Sequence, residues 1–174
     1  GKTFSQPTGN VSIDYKVAPG VLVYATSRLG YRSGGFNLRA DEPVEYVAFK
    51  PEKVIDAEIG TKADWSLGGI RMRSNISAYH QWYDQIQRTV AVENFGGSPG
   101  SSVINAAKAK VFGIEVQQVI QPTDGLSLAI GYSYIKPKYN EWKDGNVDVS
   151  DTPFFFTPTH TGNATLTYER PLAG

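Results

Sequence analysis

Apolar and polar residues alternate one by one along most of this chain, and this pattern restricts it to β-strands with two chemically different faces. Between residues 54 and 65, Ile55 and Ile59 take odd positions while Asp56 and Glu58 take even ones. Successive side chains of a strand point to opposite faces, so period two indicates a sheet that is apolar on one side only. The pattern predicts about seven strands, at residues 10–17, 21–30, 54–65, 70–84, 110–121, 126–135 and 161–170.

The predicted connections fall into two sizes that alternate along the chain. Those at 18–20, 66–69 and 122–125 are three or four residues long, whereas those at 31–53, about 85–105 and 136–160 are roughly twenty. Alternate connections of an antiparallel meander lie at the same end of the sheet. We therefore expect all short turns at one end and all long loops at the other, the arrangement of outer-membrane barrels.

Strand length and aromatic placement favour the same architecture. Strands of about 9–11 residues cross a bilayer when tilted by about 45°, whereas soluble strands average about 5–6 residues. Trp65 and Trp82 both occupy apolar positions of the alternation, Trp65 beside a short turn and Trp82 at the long-loop end of the next strand. Interfacial aromatic girdles lie at these two levels in barrels. The predicted fold class is all-β, an antiparallel up-and-down meander that is part of a transmembrane β-barrel.

Composition excludes several other classes of protein. Lys and Arg total 17 and balance 17 Asp and Glu, which gives no reason to expect a nucleic-acid partner. There is no cysteine, so disulfide scaffolds and thiolate sites are excluded, and His80 and His160 share no local spacing. No apolar run approaches the roughly 20 residues of a membrane helix, and residues 1–5 lack the plan of a signal peptide. We predict no metal site and no cofactor.

Several motifs resemble TonB-dependent outer-membrane receptors. The segment 22–37 (LVYATSRLGYRSGGFN) looks like a strand-to-loop segment of that family, and 50–53 (KPEK) leading into 57–62 (AEIGTK) resembles its Pro-Glu and Glu-x-Gly-x-Lys pattern. Residues 105–109 running into 113–115, then 122–126 and 157–162, are similar to its later strand and turn segments. These matches, in order, cover nearly the whole chain.

The resemblance implies that residues 1–174 are part of a receptor barrel whose plug domain and remaining strands lie elsewhere in a longer sequence. Plugged transporters have 22 strands, and seven cannot close such a cylinder. The resemblance further implies active uptake, across the bacterial outer membrane, of a scarce solute such as a ferric siderophore, haem or cobalamin. The implied partners are outer-membrane lipid, the rest of the barrel with its plug, the TonB complex acting through that plug, and a small solute such as a metal chelate.

Two alternatives remain open at this stage. A soluble secreted β-sandwich, a lectin-like binding module, also explains the alternation, although it explains neither the sorted loops nor the strand lengths. A glycoside-acting enzyme rests on Asp56 and Glu58 alone, whose spacing of about 6.6 Å along a strand approaches that of a glycosidase carboxylate pair. Charges lining a water-filled barrel explain the same residues. We expect that the chain is not an enzyme and has no catalytic residues.

The long loops hold the candidate solute-binding residues, because extracellular loops face the solute first. These candidates are Tyr31, Arg32, Phe36, Phe95, Trp142 and Phe154 to Phe156. Residues 144–151 place oxygen side chains at every second position, but they lack the glycine and glutamate of a calcium loop. We interpret that stretch as a solvated loop.

The period also assigns side chains to the two faces. We expect an aliphatic set to point outward, toward lipid: Ile55, Ile59, Ile70, Met72, Ile76, Phe112, Ile114, Val116, Leu128, Ile130 and Leu166. We expect a polar set to point inward: Glu58, Lys62, Arg71, Arg73, Glu115 and Thr165.

Overall fold

The regular structure is made of strands alone. A computed structural model describes residues 3–37, 48–93, 99–144 and 147–170. The strands are β1 (Gly9–Ala18), β2 (Val21–Arg32), β3 (Glu52–Leu67), β4 (Ile70–Glu93), β5 (Pro99–Thr123), β6 (Leu126–Asp144), β7 (Val147–Asp148) and β8 (His160–Tyr168). No helix within these ranges is long and apolar enough to cross a membrane.

The strands form one antiparallel sheet in chain order. Each of β1 to β5 pairs with the next strand, β8 pairs with β6, and the two-residue β7 also pairs with the end of β6. In the described part of the chain β1 pairs only with β2 and β8 only with β6, so the sheet is open at both edges. The predicted antiparallel meander is confirmed. The short β7 is an addition that the alternation did not indicate.

Three two-residue turns lie at one end of the sheet, which we call the turn end; the opposite end is the loop end. The turns are residues 19–20, 68–69 and 124–125, and they join β1 to β2, β3 to β4 and β5 to β6. Gly125 has a φ of 78°, a conformation that side chains with a Cβ rarely adopt. The predicted placement of the three short turns at one end of the sheet is therefore confirmed.

The glycines of these turns differ in what surrounds them, and this leads to a test. A Cβ on Gly68 would meet no atom within 4 Å, whereas a Cβ on Gly125 would collide with the carbonyl oxygen of Glu169. In the full-length protein, Gly68→Ala should cost about 1–2 kcal/mol from the left-handed backbone alone. Gly125→Ala should cost clearly more, because the Glu169 backbone must also move. Denaturant titration of both variants measures this difference, and equal losses would contradict the described turn.

The strands reach much farther at the loop end than predicted. β4 has 24 residues, β5 has 25 and β6 has 19, whereas about 9–11 cross a bilayer. The strand-like pattern from Gln85 to Val92 is confirmed, whereas the predicted loops are wrong at residues 99–105 and 136–144, which belong to β5 and β6. The alternation is lost there because the register shifts between Tyr83 and Ile86 and again near Lys108, and each bulge reverses the side-chain parity of its strand while backbone pairing continues.

The pairing register carries the two faces across the whole sheet. Ile59 lies opposite Ala25 and Ala78, and Ile76 lies opposite Thr61 and Val116. Continued through every pair, the register puts all eleven residues of the aliphatic set on one face, the apolar face, and all six of the polar set on the other, the polar face.

The apolar face is open to the surroundings. Ile59 is 64% exposed and Leu166 is 69% exposed, and no second layer covers them in the described ranges. The fully buried apolar residues of those ranges lie toward the loop end instead, and they are Ile86, Ala107, Ala109, Val111 and Tyr139. A soluble sandwich buries its apolar face against a second sheet. This single layer does not have that architecture.

Candidate functional site

A compact aromatic cluster lies on the polar face at the loop end of β4, β5 and β6. Tyr139 is 3% exposed and stacks on Phe154, with ring centroids 4.1 Å apart and planes inclined by 19°. Trp142 packs on Tyr139 at 4.7 Å. We call the following set the outer cluster: Tyr83, Ile86, Arg88, Ala107, Ala109, Tyr139, Trp142 and Phe154.

A β-bulge brings β4 into this cluster. Tyr83 pairs with Ala109 and the next registered pair is Ile86 with Ala107, so β4 contains one extra residue between the two pairs. Gln85, within this bulge, has a φ of 57°. Because a bulge reverses the side-chain parity of its strand, Tyr83 and Ile86 both contact the same cluster. Small Ala107 and Ala109 on β5 leave room above them for the rings of β6.

Arg88 places a positive charge over the aromatic rings. Its guanidinium carbon lies 5.3 Å from the ring centroid of Tyr139 and 5.4 Å from that of Trp142, and its Nη2 donates a hydrogen bond to the Tyr139 hydroxyl. Burial raises the pKa of Tyr139, and the nearby Arg88 charge opposes that shift. Arg88 therefore acts as a fixed cation beside a phenol that stays protonated at neutral pH.

Two hydrogen-bond donors of the cluster have no partner among the described residues. They are the buried Nε of Arg88 and the buried Nε1 of Trp142. Arg88 also has no carboxylate within 4 Å in those ranges. Buried donors are normally satisfied, and each one left alone costs about 1–3 kcal/mol. The arrangement suits an oxygen-rich, anionic group with an aromatic or planar part beside it.

Farther from the loop end, the polar face has a charged network centred on Arg28. Its Nε lies 2.6 Å from Oδ1 of Asp56 and its Nη2 lies 2.5 Å from Oε2 of Glu58. Tyr24 donates a 2.7 Å hydrogen bond to Glu58, and Gln81 donates a long one, 3.4 Å, to Asp56. The carboxylates proposed for a glycosidase pair thus both bind one guanidinium. This is the geometry of a structural ion-pair network.

Removing Arg28 should destabilise the protein more than removing an exposed arginine. Asp56 is 6% exposed, so Arg28→Ala leaves a buried carboxylate without its cation. The guanidinium itself is half exposed, which limits the expected loss to about 1–2 kcal/mol. Arg73→Ala is the matched control, because Arg73 and Asp64 form an ion pair in which both partners are exposed, and about 0–1 kcal/mol is expected. Equal losses in denaturant titration would show that burial of Asp56 does not matter.

The structure distributes the predicted solute-binding residues along the loop end. Tyr31 and Arg32 are the last two residues of β2 and lie on a strand end rather than in a loop. Phe36 is 48% exposed and packs edge-on against Phe4 at 6.3 Å. Trp142 lies in β6, within the outer cluster, and Phe95 lies outside the described residues.

The segment that follows β7 contributes one residue to the cluster and leaves two exposed. Phe154 stacks on Tyr139, whereas Phe155 is 70% exposed and Phe156 is fully exposed. Asp148, in the stretch interpreted as a solvated loop, accepts hydrogen bonds from the hydroxyl and the backbone of Ser150, which lower its pKa. Its carboxylate is therefore used in a local turn.

No cluster of three or more His, Asp or Glu side chains in the described ranges has the form of a metal site. His80 stacks on Trp82 with ring centroids 4.4 Å apart, and His160 forms a 2.8 Å hydrogen bond with Tyr132. Both imidazoles lie among aromatic rings of the apolar face, on β4 and β8.

Arg88 and Tyr139 were missed by the sequence analysis. Both lie in stretches predicted as loops, 85–105 and 136–160, where neither residue stands out. One signal was available: aromatic residues Tyr139, Trp142 and Phe154 follow one another closely in a segment otherwise rich in charge. That spacing gives no contact by itself, because the bulge and the return of the chain after β7 create it.

Comparison with known proteins agrees with this geometry. The ferric yersiniabactin uptake receptor FyuA from Yersinia pestis has a similar fold, with a TM-score of 0.69 at 19% identity; the match covers 91% of this chain and 22% of that one. The family model described as TonB dependent receptor-like, beta-barrel, matches residues 1–174. The whole chain therefore belongs to the TonB-dependent receptor β-barrel family.

Proposed function

We propose that this chain forms part of the wall of an outer-membrane receptor that actively takes up a scarce solute. The observation that carries the proposal is the uncovered apolar face, which extends from β1 to β8. In water such a surface would be unstable, whereas the hydrocarbon of a bilayer covers it. The family consists of transporters rather than enzymes, which agrees with the structural role of the Asp56 and Glu58 pair.

The membrane also accounts for the height of the apolar face. Trp65 lies opposite Met72 near the turn end, and Trp82 lies ten residues farther along β4. Ten residues span about 33 Å along a strand, which a tilt of about 45° reduces to roughly the 25 Å of a barrel's apolar band. The two tryptophans then lie at the two interfaces.

Energy and gating belong to parts of the receptor outside this chain. We propose that a plug domain fills the barrel against the polar face and that the TonB complex acts on that plug. The matched structural relative is about 4.5 times as long as the part this chain covers, since that part is 22% of its length. Its name specifies uptake of ferric yersiniabactin, so a ferric chelate is the solute class to test first.

The outer cluster is the part of the chain that we propose contacts the solute. It lies at the loop end on the polar face, where a solute entering the barrel passes first. Arg88 supplies a charge without a carboxylate partner in the described ranges, and Trp142 and Tyr139 supply flat surfaces. Ferric chelates combine oxygen-rich anionic groups with aromatic rings in many cases, which fits both features. Tyr31, Arg32, Phe36 and Phe95 remain proposed contacts.

The test uses the full-length receptor in cells that depend on ferric chelates for iron. Arg88→Met keeps an unbranched stem and removes the charge, so it should weaken chelate binding about tenfold, as expected for one lost charge-assisted hydrogen bond. Arg71→Met is the control, because Arg71 lies on the polar face near the turn end in an exposed ion pair with Asp124, and it should have little effect on binding. Uptake of radioactive iron and equilibrium binding are both measured.

Two outcomes would overturn the proposal at different levels. If the protein stays in the aqueous fraction and needs neither lipid nor detergent to fold, the membrane role is wrong. If it inserts into membranes but Arg88→Met binds and transports every tested chelate like the wild type, the outer cluster is not the contact site.

A further inference from the structure

Three lysines at the loop end of the apolar face have no carboxylate partner among the described residues. Lys110 on β5 lies directly opposite Lys138 on β6, and Lys136 lies two residues from Lys138 on the same face. All three are exposed. We call Lys110, Lys136 and Lys138 the lysine triad.

The triad is positioned directly next to the aromatic rings that end the apolar face. Trp82 lies opposite Lys110, and Phe112 lies opposite Lys136. The rings of this band contact one another: His80 and Trp82 at 4.4 Å, Phe112 and Tyr134 at 6.4 Å, and Tyr134 and His160 at 5.2 Å. In a membrane barrel such a band lies at the interface between hydrocarbon and headgroups.

The charges of the triad are not compensated within the described residues. Like charges directly opposite on neighbouring strands destabilise a sheet. Lys110 and Lys138 are such a pair, and they repel each other unless an anion lies between them. The adjacent Lys108 has Glu141 as its partner at 3.2 Å, whereas no carboxylate of the described ranges lies within 4 Å of a triad lysine. Asp84, the other acid on this part of the face, stands opposite Lys53.

From this placement we infer that Lys110, Lys136 and Lys138 bind the phosphate groups of anionic lipid headgroups in the leaflet at the loop end. The triad is continuous with the lipid-facing surface and lies one step beyond its aromatic border, at headgroup height. Lysine stems can lie along the apolar surface while their ammonium groups reach the phosphates. The partner's charge complements the triad and removes the repulsion between Lys110 and Lys138. This inference rests on the proposed membrane location.

The experiment measures lipid selectivity of the full-length receptor. The protein is inserted into vesicles of phosphatidylcholine mixed with phosphatidylglycerol, extracted in mild detergent, and the lipids that stay bound are counted by native mass spectrometry. Wild type should retain phosphatidylglycerol in preference to phosphatidylcholine. Each lysine near an anionic surface contributes about fivefold to binding, so Lys110→Gln, Lys136→Gln and Lys138→Gln together should reduce this preference by at least about tenfold.

Two control variants separate the site from net charge. Replacing Lys16, Lys50 and Lys62 by Gln removes three exposed lysines that lie outside the triad, and it should leave the preference unchanged. Changing all three triad lysines to Arg keeps the charge and should retain phosphatidylglycerol. High salt should weaken retention by wild type, because exposed charges are screened.

The outcomes distinguish this inference from the proposed function. If the receptor inserts into vesicles of pure phosphatidylcholine, as judged by protease protection, the proposed membrane location is supported whatever the lysine variants do. If the triad Gln variant then retains as much phosphatidylglycerol as wild type, or if the control variant loses as much, the lipid site is overturned. Displacement of bound lipid by inorganic phosphate, but not by chloride at equal ionic strength, would instead assign the triad to free phosphate and also overturn it.

Discussion

Ile76→Arg in the full-length receptor should lower the free energy of unfolding from lipid vesicles by about 2–4 kcal/mol. Ile76 lies on the apolar face, six residues from Trp82 and four from Met72, so its side chain is near the middle of the proposed hydrocarbon layer. An arginine there must lose much of its hydration or draw water and headgroups into the membrane. Reversible denaturant titration in vesicles measures the loss.

The matched control is Gln117→Arg. Val116 is the cross-strand neighbour of Ile76, and Gln117 is the next residue on β5, exposed on the polar face at nearly the same depth. Its arginine would enter the aqueous interior, so a change of about 0–1 kcal/mol is expected. Ile70→Arg, close to the turn end, should fall between the two. Equal losses at Ile76 and Gln117 would contradict the assignment of faces to lipid and water.

Tyr139→Ala should cost about 3 kcal/mol, the largest loss that we expect from one truncation outside the membrane. Tyr139 is 3% exposed and contacts Phe154, Trp142 and Arg88, so alanine would leave a cavity among three strands and a returning loop. Chelate binding should weaken as well, because Arg88 and Trp142 lose the ring that positions them. Denaturant titration and limited proteolysis of the loop end measure the first effect.

Two variants separate packing from hydrogen bonding at this position. Tyr139→Phe keeps the ring and removes only the acceptor for Arg88, which should cost about 1 kcal/mol. Phe155→Ala removes a neighbouring aromatic side chain that is 70% exposed, and its effect on stability should be close to zero. If Phe155→Ala were as harmful as Tyr139→Ala, the outer cluster would not be the packed unit described here.

Much of the fold could be predicted because the bilayer imposes a strict rule on one face. Every second position of a membrane-facing strand must be apolar, as at Ile59, Ile76 and Leu166, and this requirement leaves an alternation that can be recognised in the sequence. Short turns can also be recognised, because their backbone needs a positive φ and glycine fills those positions, as at Gly68, Gly69 and Gly125. The meander and the placement of its short turns followed from these features, whereas the family followed from the resemblance of segments such as 22–37 and 57–62.

The loop end could not be predicted from the same rule because that rule does not apply there. Beyond Trp82 the register of the β4–β5 hairpin shifts twice, so strand pairing continues without a regular alternation. Contacts such as Arg88 with Tyr139 connect residues 51 positions apart, and they depend on pairing that has no local signal. The sequence analysis therefore named Trp142 and Phe154 of the outer cluster, but it missed Arg88 and Tyr139, which they accompany.

The bulge at Gln85 divides β4 into two parts in which odd and even residues exchange faces. On one side of it even-numbered residues such as Trp82 belong to the apolar face, and on the other side an even-numbered residue, Ile86, belongs to the outer cluster. Because the bulge absorbs the change of parity, the part of β4 beyond it can differ in length while the residues before it keep their faces. An insertion beyond the bulge would thus shift the residues of the outer cluster and leave the alternation of the apolar face unchanged.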